Sequence, residues 1–238
     1  MKIVKNDLYD YTDRYIFQLE EGFKFSVDSI LLAEFVKISN NDNLDILDMC
    51  TGNAPVLLIL SKKTKSKIIG FEIQKDIYEL GKKSIEYNKL QNQLKIYNED
   101  IRNIDKIFPG KYFDIITCNP PYYKYYKNKN INKNDYLSIA RHEIMLKLED
   151  IFMISANKLK EKGNFYLVHR PERLDEIIFL ANKYKIPVKE IQLITTSNLK
   201  IKIVIVRCQK NSKPGIKFRN IIDISKLKSY QHIFEEEK

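Results

Sequence analysis

Long apolar runs are missing from this 238-residue chain. No stretch of about 18 apolar residues occurs, so no membrane-spanning helix is expected. The first residues, MKIVKNDLYDYTDRYIF, carry acids and no continuous apolar core, so they do not read as a signal peptide. Cysteine is scarce. Cys50, Cys118 and Cys208 are odd in number and widely spaced, which argues against a disulfide framework or a zinc site. They point instead to a reducing cytoplasm. No cluster of His, Cys and carboxylates is visible, so no metal is expected. Arginine supplies only seven of the 41 basic residues.

Against 31 acidic residues the chain keeps a net charge of +10, which suits a polyanionic partner. A composition crowded with Lys, Asn and Ile accounts for that charge equally well. The charge permits RNA without establishing it. With 44% hydrophobic and 30% charged residues, the chain reads as globular and able to bury a sizeable core. We expect a single domain with three parts: an N-terminal segment and helix (1–40), a core (41–210) and a C-terminal tail (211–238).

Periodicity sets the elements. FSVDSILLAEFVKI (25–38) reads as a helix capped by Ser26 or Asp28. Strands follow at LDILDMC (44–50), KIIGFEI (67–73), LKIYNED (94–100) and FDIITCN (113–119). Helices at APVLLILSKKT (54–64) and KDIYELGKKSIEYNKL (75–90) lie between them. EIMLKLEDIFMISANKLKEKG (143–163) reads as one long helix stopped by Gly, then NFYLVHR (164–170) as a strand. PERLDEIIFLANKY (171–184) is a helix with Pro in a tolerated first turn. VKEIQLITT (188–196) and KIKIVIVRC (200–208) are strands joined by SNL, short enough for an antiparallel return. The expected fold is α/β: seven strands in a mostly parallel sheet, helices on both faces, and an antiparallel hairpin at one edge.

In such sheets ligands bind beyond the carboxyl ends of the strands, and the informative residues gather there. DMCTGNAP (48–55) places an acid, Asp48, before Gly52, Asn53 and Ala54, small residues that let backbone pass close to a ligand. No Gly-Lys-Ser/Thr follows, so this is not a nucleotide triphosphate loop. Glu72, 24 positions after Asp48, ends the second strand and is placed to accept both hydroxyls of a ribose. Asp100 ends the third and is placed to take the amino group of an adenine. Any one of these acids is explained by solvation of a strand end; three in succession suggest a nucleoside-binding edge.

The fourth strand ends in NPPY. Pro120 and Pro121 lack N–H groups and hold their neighbours extended. With Asn119 they set two carbonyl acceptors close together, able to grip both hydrogens of an –NH2 group. Tyr122 adds a flat face for a planar ring. An exocyclic amine is a weak nucleophile because its lone pair is delocalised, and accepting both hydrogens stabilises the charge that develops as it attacks. The loop YYKYYKNKNINKNDY (122–136) interleaves aromatics with lysines, a composition suited to stacking on bases and touching phosphates. An ordinary solvated loop has the same composition.

DMCTGNAP, FEI, NEDI and NPPY, in this order and spacing, resemble a class I S-adenosylmethionine-dependent methyltransferase of Rossmann-like fold acting on an amino nitrogen. GFKFSVDSILLAEF (22–35), ARHE (140–143) and HRPERLDEI (169–177) sharpen the resemblance to the bacterial valine-tRNA adenine-N6-methyltransferases, over roughly residues 8–208. The resemblance implies S-adenosyl-L-methionine as cofactor, held by Asp48, Thr51, Gly52, Asn53, Glu72, Ile73, Asp100, Ile101 and Asn119. It implies catalysis by Asn119, Pro120, Pro121 and Tyr122 on adenine 37 of a valine tRNA. Tyr122, Tyr123, Lys124, Arg141 and His142 would touch the RNA, and the enzyme would be a monomer. Ala54 stands where many such enzymes have a further Gly, and Cys50 where Gly is commoner. His169 and Arg170 are explained equally by a strand-end ion pair, and Cys118 reads as a core thiol. Three other readings stay open: a protein-glutamine N5-methyltransferase, an rRNA or DNA amino-methyltransferase, and a non-catalytic RNA-binding protein on this scaffold.

Overall fold

The computed structural model describes residues 2–8, 11–21, 27–38, 43–120, 146–196 and 200–226. The strands are β3 (Ile46–Asp48), β4 (Ile68–Phe71), β5 (Leu94–Tyr97), β6 (Phe113–Cys118), β7 (Leu159–His169), β8 (Val188–Thr195) and β9 (Ile201–Gln209). They lie side by side in the order β5-β4-β3-β6-β7-β9-β8. Pairs β4–β5, β3–β4, β3–β6 and β6–β7 are parallel, and β9 runs antiparallel between β7 and β8. The mostly parallel sheet and its antiparallel edge pair match the expectation from sequence. The SNL link (197–199) lies outside the described residues.

Side chains alternate between two apolar layers, as the period of two requires. Ile46, Ile115, Tyr166 and Val168 face a core built with helices α1 (Val27–Phe35), α2 (Pro55–Lys63) and the end of α3 (Lys75–Tyr87). Leu47, Ile116, Phe165 and Leu167 face the opposite core, with Phe152 of α4 (Leu148–Lys158) and Ile177 of α5 (Leu174–Lys183). A buried side chain of this size contributes about 1.5–3 kcal/mol relative to exposure, so register is strongly specified on both faces.

Helix α2 begins with Pro55, whose missing N–H costs nothing at that position. Its last-turn Lys63 donates to the carbonyls of Ala33, Glu34 and Val36 at 2.9, 2.9 and 2.8 Å. Those acceptors are the open carbonyls at the end of α1. One lysine thus anchors α1 against α2, and α1 carries residues of the site.

Three features depart from the sequence reading. The start of the chain forms an antiparallel hairpin, β1 (Ile3–Leu8) with β2 (Tyr11–Leu19), in a two-stranded sheet of its own. Phe17 and Leu19 pack against Ile77 and Leu80 of α3. Ser84 Oγ accepts the Phe17 N–H at 2.9 Å, and the Asn88 side chain bridges the backbone N–H and carbonyl of Tyr15. Next, the long helix expected over 143–163 ends at Lys158, and β7 starts at once with Leu159 opposite Phe113. Lys158 is buried, donating to the Asp105 carboxylate and, at 2.6 Å, to Phe108 O. Pairing with β6 and this anchor override the helical periodicity of the last turn. Finally, the segment beyond 210 adds two short strands, β10 (Lys217–Phe218) and β11 (Ile222–Asp223), both parallel to β8. Among the described residues the sheet therefore has nine strands, two more than expected.

Candidate active site

The carboxyl ends of β3, β4, β5 and β6 meet at one edge of the sheet, and backbone hydrogen bonds splice the segments leaving them. Met49 N–H donates to Thr117 O at 2.9 Å, Thr51 N–H to Phe71 O at 3.0 Å and Glu72 N–H to Tyr97 O at 3.0 Å. The turn after β3 is tight, with Ala54 N–H bonded to Thr51 O at 3.1 Å. Gly52 has φ +58°, a left-handed conformation natural to glycine. Ala54 has φ 80°, where an L side chain carries about 1–2 kcal/mol of strain. This is the position where the resemblance led us to expect another glycine. The chain keeps the glycine-like conformation and only the methyl differs.

Asp48 is fully buried. Its Oδ1 accepts from Thr117 Oγ1 at 2.7 Å, while Oδ2 is buried with no partner. Burial pushes the carboxyl up to about 7, and the Thr117 and Thr51 hydroxyls oppose that shift. Thr51 is buried and its hydroxyl donates to Asp48 O at 3.0 Å. Glu72 is buried too, and its two oxygens accept from Gly52 N–H and Gln74 N–H, each at 2.9 Å. Burial raises its carboxyl and these backbone donors pull it down. Glu72 therefore clamps the turn after β3 to the end of β4, and each oxygen retains a lone pair for a further donor.

Other expected residues take different places. Asn53 is buried and donates its side-chain amide to Phe17 O at 2.9 Å, so it ties the turn to the N-terminal hairpin. Asp100 caps the short 3-10 helix 101–106 through Arg102 N–H at 2.9 Å. The Arg102 guanidinium forks onto the same carboxylate, with Nε 2.9 Å from Oδ2, and holds it below the usual carboxylate range. This acid is an ion-pair partner and a helix cap, and β5 stops before it at Tyr97. Asn98, overlooked in the sequence, joins the ends of β5 and β4 by donating to Glu72 O at 2.9 Å and Ile73 O at 3.2 Å. Ile73 is exposed, whereas Ile101 is buried in the second core.

Asn119 follows β6 directly. Its amide nitrogen lies 2.8 Å from Ser29 Oγ of α1, and Pro120 beside it is buried. Ser29 closes the stretch FSVDS, where no residue type or spacing singles it out as a site residue. Cys50 and Cys118 flank the same edge with sulfurs 3.8 Å apart, and both are free thiols. Burial pushes Cys118 up strongly, so it is no thiolate nucleophile. His169 is buried, accepts from Arg170 N–H through Nδ1 at 2.9 Å, and is held down to about 4 chiefly by burial. Pro121, Tyr122, Tyr123, Lys124, Arg141, His142 and Glu143 lie outside the described residues, as does the rest of the Tyr/Lys loop. Among the described residues no group of three or more His, Cys, Asp or Glu is placed to hold a metal, and no helix is long and apolar enough to cross a membrane.

Residues 26–202 match the model of a family described as N-6 DNA Methylase. A tRNA1(Val) (adenine(37)-N6)-methyltransferase of Flavobacterium psychrophilum is 23% identical over 184 residues, 76% of this chain and 76% of that protein. A protein of the same name from Cytophaga hutchinsonii is 22% identical over 211 residues, covering 88% and 86%. Among solved structures, the geranyl diphosphate C-methyltransferase of Streptomyces coelicolor A3(2), in complex with S-adenosyl-L-homocysteine, superposes with a TM-score of 0.55. That likeness covers 77% of this chain and 78% of the other at 8% identity, and it speaks for the fold.

Proposed function

Because this chain belongs to the N-6 DNA methylase family, we propose that it transfers a methyl group from S-adenosylmethionine to N6 of an adenine in tRNA. The relatives' names assign them adenine 37 of a valine tRNA, and we assign the same target to this chain. The carrying observation is Asn119, held against Ser29 at the end of β6 and followed by buried Pro120.

The donor set suits the cofactor. Asp48 Oδ2 is a buried acceptor with no donor, and Glu72 keeps lone pairs in the same turn. A ligand rich in N–H and O–H groups satisfies such a shell. When bound, S-adenosylmethionine supplies an electrophilic methyl group on a sulfonium.

The remaining work falls to the chain. Asn119 and the Pro120 carbonyl would accept the two amino hydrogens of adenine, and Tyr122 would stack on the ring once the base is turned out of its strand. Asp48 and Glu72 would orient the cofactor, with Thr51, Gly52, Asn53 and Ile73 lining it. The nitrogen sheds its proton to water after attack, so no strong base is required.

Asn119→Ala tests the reading on unmodified tRNA with a radiolabelled methyl donor and mass spectrometry of the nucleosides. Wild type should form N6-methyladenosine. The variant should bind cofactor normally and turn over about 10²–10³-fold more slowly, the cost of removing one transition-state hydrogen-bonding group. Equal turnover would remove Asn119 from the chemistry. Methylation of a release-factor glutamine in place of tRNA would establish the protein-substrate alternative.

A further inference from the structure

The N-terminal hairpin carries a buried polar group that its own packing leaves unused. Gln18, next to Phe17 on β2, is 5% exposed, and its Oε1 has no hydrogen-bond partner. Asn53, joined to Phe17 O through its amide nitrogen, is 2% exposed, and its Oδ1 is equally bare. A buried carbonyl oxygen without a donor lowers stability. Here two of them sit on segments linked by a hydrogen bond. Alternation along β2 puts Gln18 on the side of Ile16, which faces the core of α1 and α2, and opposite Phe17 and Leu19, which face α3.

The start of α2 adds the complementary charge preference. Ala54 precedes the helix and gives its first amides no side-chain cap. Uncapped amides at a helix start attract a carboxylate, while bare oxygens attract an ammonium. An α-amino-acid head group carries both. The order of the strand ends leaves this place for that head group. Glu72 on the β4 side suits a ribose, and Asn119 on the β6 side marks the reacting methyl. The turn between them runs into α2 beside the hairpin.

We infer that Gln18 Oε1 accepts a hydrogen bond from the α-ammonium of the cofactor's amino-acid end, with Asn53 Oδ1 as its companion. The inference rests on the methyltransfer reading and extends the cofactor site to the N-terminal hairpin. Gln18 binds and orients; it performs no proton transfer.

Gln18→Met removes the acceptor and keeps the length and volume of the side chain. Titration calorimetry with S-adenosylhomocysteine and with 5′-methylthioadenosine, which lacks the amino-acid head, separates the two ends of the ligand. S-adenosylhomocysteine should bind the variant about tenfold more weakly, as the loss of one hydrogen bond to a charged group implies. Methylthioadenosine should bind as before. The ligand-free variant should melt at the same temperature or higher, because the bare oxygen is gone.

Unchanged affinity for S-adenosylhomocysteine, equal loss of both ligands, or a lowered melting temperature would each overturn the inference. Wild-type protein that binds neither ligand would instead refute the methyltransfer reading itself.

Discussion

Replacing Asp48 by Asn should make the ligand-free protein more resistant to unfolding in alkali, although it damages the proposed cofactor site. Burial raises this carboxyl from 3.8 to about 7. A carboxyl that holds its proton more tightly when folded favours folding at low pH. That contribution is complete below the unfolded value and is lost as the pH climbs through the folded one. A shift of about three units, at about 1.4 kcal/mol each, amounts to about 4 kcal/mol once the group is charged.

Asn has the shape of the neutral acid and no charge to bury. Its Oδ1 can keep the hydrogen bond from Thr117 Oγ1, and its Nδ2 meets the same unpartnered surroundings as Oδ2. At pH 5 the wild-type protein is already losing part of its advantage. Between pH 5 and pH 8 the stability of Asp48→Asn relative to wild type should therefore rise by about 2–3 kcal/mol. Urea denaturation of both proteins at pH 5, 6, 7 and 8 gives that difference directly. Glu72 is also raised, and its charge adds to the Asp48 shift, so the difference reports the release of both burial and that repulsion. A difference that stays flat over this range, or falls, refutes the burial argument.

Two further substitutions probe the scaffold beneath the site. A Cβ on Gly81 would lie 2.7 Å from Ile96 Cδ1 and 3.2 Å from Gly52 O. Gly81→Ala should thus cost about 1–3 kcal/mol of overpacking against about 1 kcal/mol of helix propensity gained. Its melting temperature should fall and S-adenosylhomocysteine should bind less tightly, because the turn after β3 is displaced. Ser84→Ala leaves the buried N–H of Phe17 without its acceptor at 2.9 Å and should cost about 1–3 kcal/mol. Hydrogen exchange should show the Phe17 amide losing protection well before those of β3.

The central sheet was legible because its strands are short apolar runs between helical periods. Asp48 and Glu72 lie at strand ends as read, whereas Asp100 stands beyond β5 at the start of a 3-10 turn. Glu72 and Asp48 do meet at one turn. What those acids already hold was not legible. Arg102 engages Asp100 from only two residues away, through a geometry set by a 3-10 turn. The Cys50–Cys118 approach depends on β3 and β6 being neighbours, which spacing along the chain conceals. The hairpin escaped notice for a related reason. Ile3–Leu8 alternates, but its pairing with β2 shifts register between Asp7 and Leu8, and the buried face of the hairpin is completed by α3. The last turn read into α4 failed because Leu159 found a strand to pair with.

The anchoring of the hairpin also bears on the order in which the protein becomes competent during synthesis. Tyr15 donates its N–H to the Asn88 side chain and accepts from its amide, 73 residues further along, and the Phe17 N–H depends on Ser84, 67 residues along. Contacts of such separation form only after a long loop closes. At about 5–20 residues per second, the hairpin waits several seconds for its docking partner to be made. Until then Phe17 cannot present its carbonyl to Asn53, and the turn after β3 stands without its brace. A segment translated before its docking partners is thus among the last to be put to use.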